Sequence, residues 1–367
     1  MNTKKITLAV SSFSGGGAER VMVTLANKFF DWGYEVDVIV GLDKGPYKKM
    51  LNSKINKIVL TDPESGKVKK IIQAFLRLRK YLSSSDSTVL MTTIRDFNVF
   101  ISIVYFFSNS KIRLILREAD TLDRVFETYS FKDKVLLKLM RFFYPRANAL
   151  IANCNITMLD LYQNINLRNE SVKVIYNPLD IKLIKANTEN SSLTKQKKII
   201  SCGRLNNKKN FPDLIRAIPL VMKKYPNLLL EILGEGQERE NLQSLIEELN
   251  LVDNVKLIGF VDNPYAYYSQ ADVFVQTSLW EGFGYVLAEA MACGTPVVAY
   301  DSKGAMREIL ADGKYGMLTP VGDLQALADA IIQKIENPTP QEVLREAVER
   351  FDVDKTARQY LGAMGVI

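Results

Sequence analysis

Glu281-Gly-Phe-Gly-Tyr-Val-Leu-Ala-Glu289-Ala-Met-Ala-Cys-Gly-Thr-Pro-Val-Val-Ala299 follows a strand-like run, residues 271–278, and carries an acid on each side of a glycine-containing turn. The second acid falls inside a predicted helix, and Gly-Thr-Pro then opens a new apolar strand. Strand, turn, helix and strand in that order read as a βαβ unit of a parallel sheet. At such a turn the first N–H groups of the helix have no intrahelical partner, so they can hold anionic oxygens. Glu289 lies about two helical turns beyond Glu281. The two carboxylates can therefore serve different parts of one ligand.

The alternation extends outward in both directions. Residues 6–11, 35–41, 58–60, 88–92, 113–117, 149–152 and 172–176 read as strands of the first half, and 198–202, 228–233, 255–258, 273–276 and 296–300 as strands of the second. Helices are expected at 18–32, 211–224, 239–249, 285–293 and 324–335. The polar stretch 180–198, rich in Asn, Ser and Lys, reads as the connection between two domains. A length of 367 residues fits two α/β domains, each with its own core. Two doubly wound sheets bind ligands at the C-terminal edges of their strands.

Composition narrows the chemistry. The chain has no histidine, which excludes Ser-His-Asp and Cys-His catalysis and His-ligated zinc. Cys154, Cys202 and Cys293 are too dispersed for a metal cluster and read as buried free thiols. Asp352-Val-Asp354 has the form of a D-x-D metal motif, but it falls beyond the last predicted strand and reads as surface charge or a helix cap. No metal or other cofactor is expected. The opening Met1-Asn-Thr-Lys-Lys-Ile runs straight into a strand without a signal-peptide core. The longest apolar run, 97–107, is too short to span a bilayer. A cytoplasmic location is the expectation.

The motifs then converge. Glu281 and Glu289, with seven residues between them, form an E-x7-E pattern; Gly203-Arg-Leu-Asn-Asn-Lys-Lys-Asn-Phe211 has the form G-R-L-x-x-x-K-N; and Leu230-Glu-Ile-Leu-Gly-Glu-Gly236 has the form L-x-I-x-G-x-G. Val255-Lys-Leu-Ile-Gly-Phe260, Asn177-Pro-Leu-Asp180 and Ser14-Gly-Gly-Gly-Ala-Glu-Arg20 complete the series. In this order, over nearly the whole chain, they resemble the retaining GT-B glycosyltransferases of family 4, and in particular the members that extend lipid-linked or capsular oligosaccharides.

The resemblance implies two Rossmann-like domains facing across a cleft. Residues 1–180 would form an acceptor-binding domain and 181–353 a linker and nucleotide-sugar domain, with the last helix, about 354–367, packed back onto the first. It implies a sugar moved from a UDP-sugar, N-acetylhexosamine or hexose, to a hydroxyl of a growing glycan. Arg204 and Lys209 would stabilise the departing diphosphate. Glu289 would accept hydrogen bonds from ribose, and Glu281 would either hold a donor-sugar hydroxyl or stabilise charge at the anomeric carbon. Gly16 and Gly17 would face the diphosphate and acceptor, the backbone of Phe283, Gly284 and Tyr285 the sugar or phosphates, and Phe260 the base. One departure stands out: Arg117-Glu118-Ala119-Asp120 occupies the place of an E-H-x segment, so Ala119 replaces a histidine. Glu118, Asp120, Arg95 and Asp96 are candidates to take over its contacts, or else form a salt-bridged loop.

A formal net charge of +7 favours an anionic partner. The runs 67–82 and 131–144 read as basic amphipathic helices, either ordinary domain helices or shallow anchors on an anionic bilayer. Both fall in the half expected to bind the acceptor, which points to a lipid-linked acceptor at a membrane surface. Nucleic acid is not an expected partner. Two other readings share part of the pattern: a GT-B phosphorylase or epimerase, and a non-enzymatic protein binding anionic ligands. The ordered loop motifs favour the transferase.

Overall fold

A computed structural model describes residues 4–14, 16–121, 130–167, 171–188 and 196–367. The chain divides into two compact units, one built from residues up to Pro178 together with Val353–Ile367, the other from Leu179–Asp352.

The first unit holds seven parallel strands, β1 (Lys5–Ser12), β2 (Glu35–Leu42), β3 (Asn56–Val59), β4 (Val89–Thr93), β5 (Arg113–Glu118), β6 (Ala149–Ala152) and β7 (Val172–Val174), in the order β3-β2-β1-β4-β5-β6-β7. The second holds six, β8 (Lys198–Cys202), β9 (Leu229–Leu233), β10 (Val255–Gly259), β11 (Val273–Gln276), β12 (Val297–Tyr300) and β13 (Met317–Thr319), in the order β10-β9-β8-β11-β12-β13. Both are doubly wound α/β sheets, with the strand order reversing at β1/β4 and at β8/β11. β13 carries only three residues, too few to declare a period in the sequence.

Continuous apolar runs specify these strands, because helices cover both faces of a parallel sheet. Ile6, Leu8, Ala9 and Val10 of β1 are fully buried, as are Val273, Phe274 and Val275 of β11. In the second unit Ile199, Leu230, Val275 and Val298 pack with Leu214 and Ile218 of helix Phe211–Met222 and with Leu327 and Ile331 of helix Leu324–Glu336. In the first, Ala9, Leu90, Leu114 and Leu150 pack with Leu78, Val99 and Met140 from three helices, Lys67–Ser84, Arg95–Phe106 and Phe131–Phe143.

The polar stretch after Asp180 is not wholly a linker. It opens with helix Ile181–Ala186, whose Ile181 and Ile184 are buried and whose first turn is capped by Asp180 accepting from Leu183 N at 2.9 Å. Residues 189–195 lie outside the described residues. Asp352 sits before helix Val353–Met364, and Asp354 pairs with Lys28 of helix Gly17–Asp31. That last helix belongs to the first unit. Its Tyr360 accepts a hydrogen bond from Arg117 Nε at 2.9 Å, while the rest of the fully buried guanidinium donates to Thr93 Oγ1, at 3.0 Å, and to Asn177 Oδ1.

Candidate functional site

In the second unit the switch point lies between the ends of β8 and β11, and the motif loops leave from there. After β8 the backbone is packed too closely for side chains. A Cβ on Gly234 would stand 2.0 Å from Gly203 O, and one on Gly236 2.1 Å from Leu205 O. Those glycines let the loops after β8 and β9 lie backbone on backbone, joined by Leu205 N donating to Glu235 O at 3.0 Å. The chain then makes a short turn, Asn207–Lys209, in which Asn206 Oδ1 accepts from Lys209 N at 3.3 Å; Asn210 adopts a left-handed φ of 48°. Asn tolerates that conformation better than most residues. Thr277, just past β11, donates to the carbonyl oxygens of Lys209 and Asn210 at 3.1 and 3.0 Å, tying the two loops together.

This brings Lys209 onto Glu281, whose Oε1 accepts from the Lys209 ammonium and from Ser278 Oγ at 3.0 Å. Lys208 approaches the other oxygen, Nζ to Oε2 3.6 Å, and rests over the Trp280 ring. The Lys208 side chain is 25% exposed and forms the second cation of the cluster. Adjacent residues in an extended chain point apart, but this tight turn lets both reach one carboxylate. Burial alone would raise the Glu281 pKa; the charges of Lys209 and then Lys208, with the hydrogen bonds from Lys209 and Ser278, reverse this and hold the carboxyl below its ordinary value. The loop after β12 packs against the same point: Glu281 N donates to Lys303 O at 3.0 Å, and a Cβ on Gly304, φ 138°, would meet Glu281 O at 1.9 Å.

Gly284, at φ 81°, opens helix Tyr285–Ala292. Glu289 projects from that helix, 1% exposed, and its Oε1 accepts from Tyr265 Oη at 3.0 Å. Phe283 is turned inward against Phe351, ring centroids 5.2 Å apart, so its side chain serves the core and its backbone alone faces the turn. Phe260 is 67% exposed just past β10, and Arg204 is exposed just past β8. Lys209, Glu281, Gly284 and Arg204 thus belong to loops or a helix start at the C-terminal edge of one sheet, and Glu289 to the second turn of the helix that begins there.

Gly16 and Gly17 belong to the other unit, at the C-terminal edge of its own sheet. Gly16 is the N-cap of helix Gly17–Asp31, and the Glu19 carboxylate folds back so closely that a Cβ on Gly16 would lie 2.3 Å from its Oε2. An acid in that place complements the helix dipole. Gly15 lies outside the described residues. At the same edge Ile94 takes φ 75° before helix Arg95–Phe106, a conformation rarely held by β-branched residues.

The candidates around Ala119 separate. Glu118 is 2% exposed and accepts from Asn98 Nδ2 at 2.9 Å and from the Tyr144 hydroxyl. Burial raises its pKa, against the lowering effects of Arg95, Tyr144, Asn98 and Arg117. Asp96 pairs with Lys132 in an exposed bridge of 3.2 Å, Asp120 accepts from Thr121 N at 3.0 Å, and Arg95 donates to Thr121 O at 3.1 Å. Ala119 O accepts from Asn153 Nδ2 at 2.8 Å. Among the described residues no three Cys, Asp or Glu side chains gather as a metal site, and no helix is long and apolar enough to cross a membrane.

Comparison with known proteins adds to this geometry. Residues 184–351 match the model of glycosyl transferases group 1, and residues 15–183 the model of glycosyltransferase family 4. An N-acetylgalactosamine-N,N'-diacetylbacillosaminyl-diphospho-undecaprenol 4-alpha-N-acetylgalactosaminyltransferase of Campylobacter jejuni is 29% identical over 98% of both chains. A phosphatidyl-myo-inositol mannosyltransferase of Mycobacterium leprae is 38% identical over 45% of each. Among solved structures, HepE of Anabaena, crystallised with UDP-glucose, superposes with a TM-score of 0.81 at 25% identity over 99% of this chain and 100% of that one.

Proposed function

Because this chain belongs to the group 1, family 4 glycosyltransferases, its two halves matched end to end by their family models, we propose that it moves an N-acetylhexosamine or hexose from a UDP-sugar to a hydroxyl of a growing lipid-linked glycan, with retention at the anomeric carbon. The observation that carries this reading is the Lys208–Glu281–Lys209 cluster at the β8/β11 switch point, with Glu289 buried one helix further on. The UDP-glucose bound to HepE and the diphospho-undecaprenol substrate named for the Campylobacter relative support the donor and acceptor classes.

In this reading the bond from the anomeric carbon to the β-phosphate oxygen breaks as the acceptor oxygen bonds to the same face. The diphosphate keeps the electron pair and takes the acceptor proton, so no histidine base is required. Arg204 and Lys209 meet the charge that develops on the leaving group, and the cations of this loop supply charge that other transferases draw from a metal. Glu281, kept ionised by its two lysines, addresses the sugar, and Glu289 accepts from the ribose hydroxyls. Phe283, Gly284 and Tyr285 offer backbone N–H groups at the helix start, Phe260 borders the base, and Gly16 and Gly17 face the donor diphosphate and the acceptor.

Saturation-transfer NMR with matched UDP-, GDP- and ADP-sugars tests the donor. Selective binding of the UDP-sugar, lost in Glu289→Ala, is the expected result. Equal binding of all three, or none, overturns the assignment.

A further inference from the structure

Helix Lys67–Ser84 buries one row, Ala74, Leu78 and Leu82, against the first unit's core. A second apolar row beside it is uncovered: Val68 is 71% exposed, Ile72 53% and Leu76 57%, with Ile71 at 63% alongside. The apolar arc of this helix is therefore far wider than the core it packs on. Its first turn carries Lys67, Lys69 and Lys70, and no acid occurs anywhere in its sequence. Cations at a helix N-terminus oppose the dipole, so helix stability does not account for them.

Helix Phe131–Phe143 also exposes apolar side chains beside cations, Phe131 at 84% and Val135 at 40% with Lys132, Lys134 and Lys138 among them, although its first turn includes Asp133 and Lys132 pairs with Asp96. Helix Arg95–Phe106 lies between the two and packs against both. Each of the three follows a strand of the parallel sheet and runs back along it, so the first turns of all three lie at the sheet's C-terminal edge. That is the edge where the loop after β1 emerges.

We propose that the first turns of helices Lys67–Ser84 and Phe131–Phe143 dock on an anionic lipid bilayer, with Val68, Ile71, Ile72, Leu76 and Phe131 entering the headgroup region and the neighbouring lysines meeting lipid phosphates. Exposed apolar side chains ringed by cations match that surface in both polarity and charge. A second copy of this chain does not, since it would set lysines against lysines. The inference deepens the lipid-linked acceptor reading: docking at this edge brings the acceptor-side loops to the lipid that carries the glycan.

The test is flotation of the full chain with vesicles of phosphatidylcholine alone or mixed with phosphatidylglycerol, beside Ile71→Ser/Ile72→Ser/Leu76→Ser. The wild type is expected to float with the anionic vesicles and to be weakened, not released, by about 0.5 M salt. The triple variant, unchanged in thermal unfolding, is expected to partition at least about tenfold less and to keep its turnover on a short water-soluble acceptor. No flotation of the wild type at low salt, or equal flotation of the variant, overturns the proposal, as does a wild-type dimer in sedimentation equilibrium that the variant loses. If the wild type floats as expected but transfers no sugar to any acceptor, the functional reading fails and the docking face stands.

Discussion

Glu118 and Glu281 are both buried carboxylates at the C-terminal edge of a parallel sheet, yet their pKa values move in opposite directions. Burial raises both. Glu281 has two ammonium groups on its two oxygens and a serine hydroxyl besides, and the cations prevail. Glu118 accepts from an amide and a phenol, with its guanidinium neighbours acting through space, and burial prevails. An acid's partners, more than its depth, decide whether it stays charged. That difference separates an edge arranged for anionic chemistry from one that holds its own loops in place.

The strongest way to break the contrast is to remove the cation. Lys209→Ala should lower turnover by roughly 100- to 1,000-fold, as loss of a donor aimed at developing charge does, with a smaller change in donor affinity; steady-state kinetics on a UDP-sugar checks this, and unchanged turnover removes Lys209 from the account. Glu289→Ala should weaken donor binding by roughly 1–3 kcal/mol, read by calorimetry. Lys208→Ala should cost turnover less than about fivefold, since its pair with Glu281 is longer and partly exposed.

The smallest effect sharpens the contrast through pH. Glu281, with a depressed pKa, contributes stability that is present above the ordinary carboxyl value of 4.5 and lost as pH falls through its lower folded value. Glu118, with a raised pKa, favours the fold below 4.5 and loses that contribution as pH rises toward its higher folded value. Thermal unfolding of Glu118→Gln should therefore fall off less than wild type as pH rises above 4.5, whereas Glu281→Gln should flatten the acid side. Matching profiles would mean that neither carboxyl carries the charge state assigned to it.

Much of the fold was legible because buried parallel strands declare themselves as unbroken apolar runs, and 198–202 and 273–276 coincide with β8 and β11. The spacing of Glu281 and Glu289 was equally plain. Lys208 was not, because its position depends on a turn closed by Asn206 and Asn210 and on Trp280 from a distant loop. The run Asn206-Asn207, with Asn210 after two lysines, was the available signal for a turn. Glu118 was ambiguous for a similar reason: Asn98 and Tyr144, which fix it, are contributed by two other segments of the chain. Sequence shows which residues share an element more readily than which share a contact.

The last helix carries a consequence for how the molecule is made. The first unit takes in the chain up to Pro178 and then waits while the second is spelled out whole, because Val353–Ile367 belong to it. Arg117, made early, finds its Tyr360 partner only after the whole of the second unit has been made. The unit begun first is thus completed after the second, and a premature stop just before Val353 should injure the earlier unit while sparing the later one.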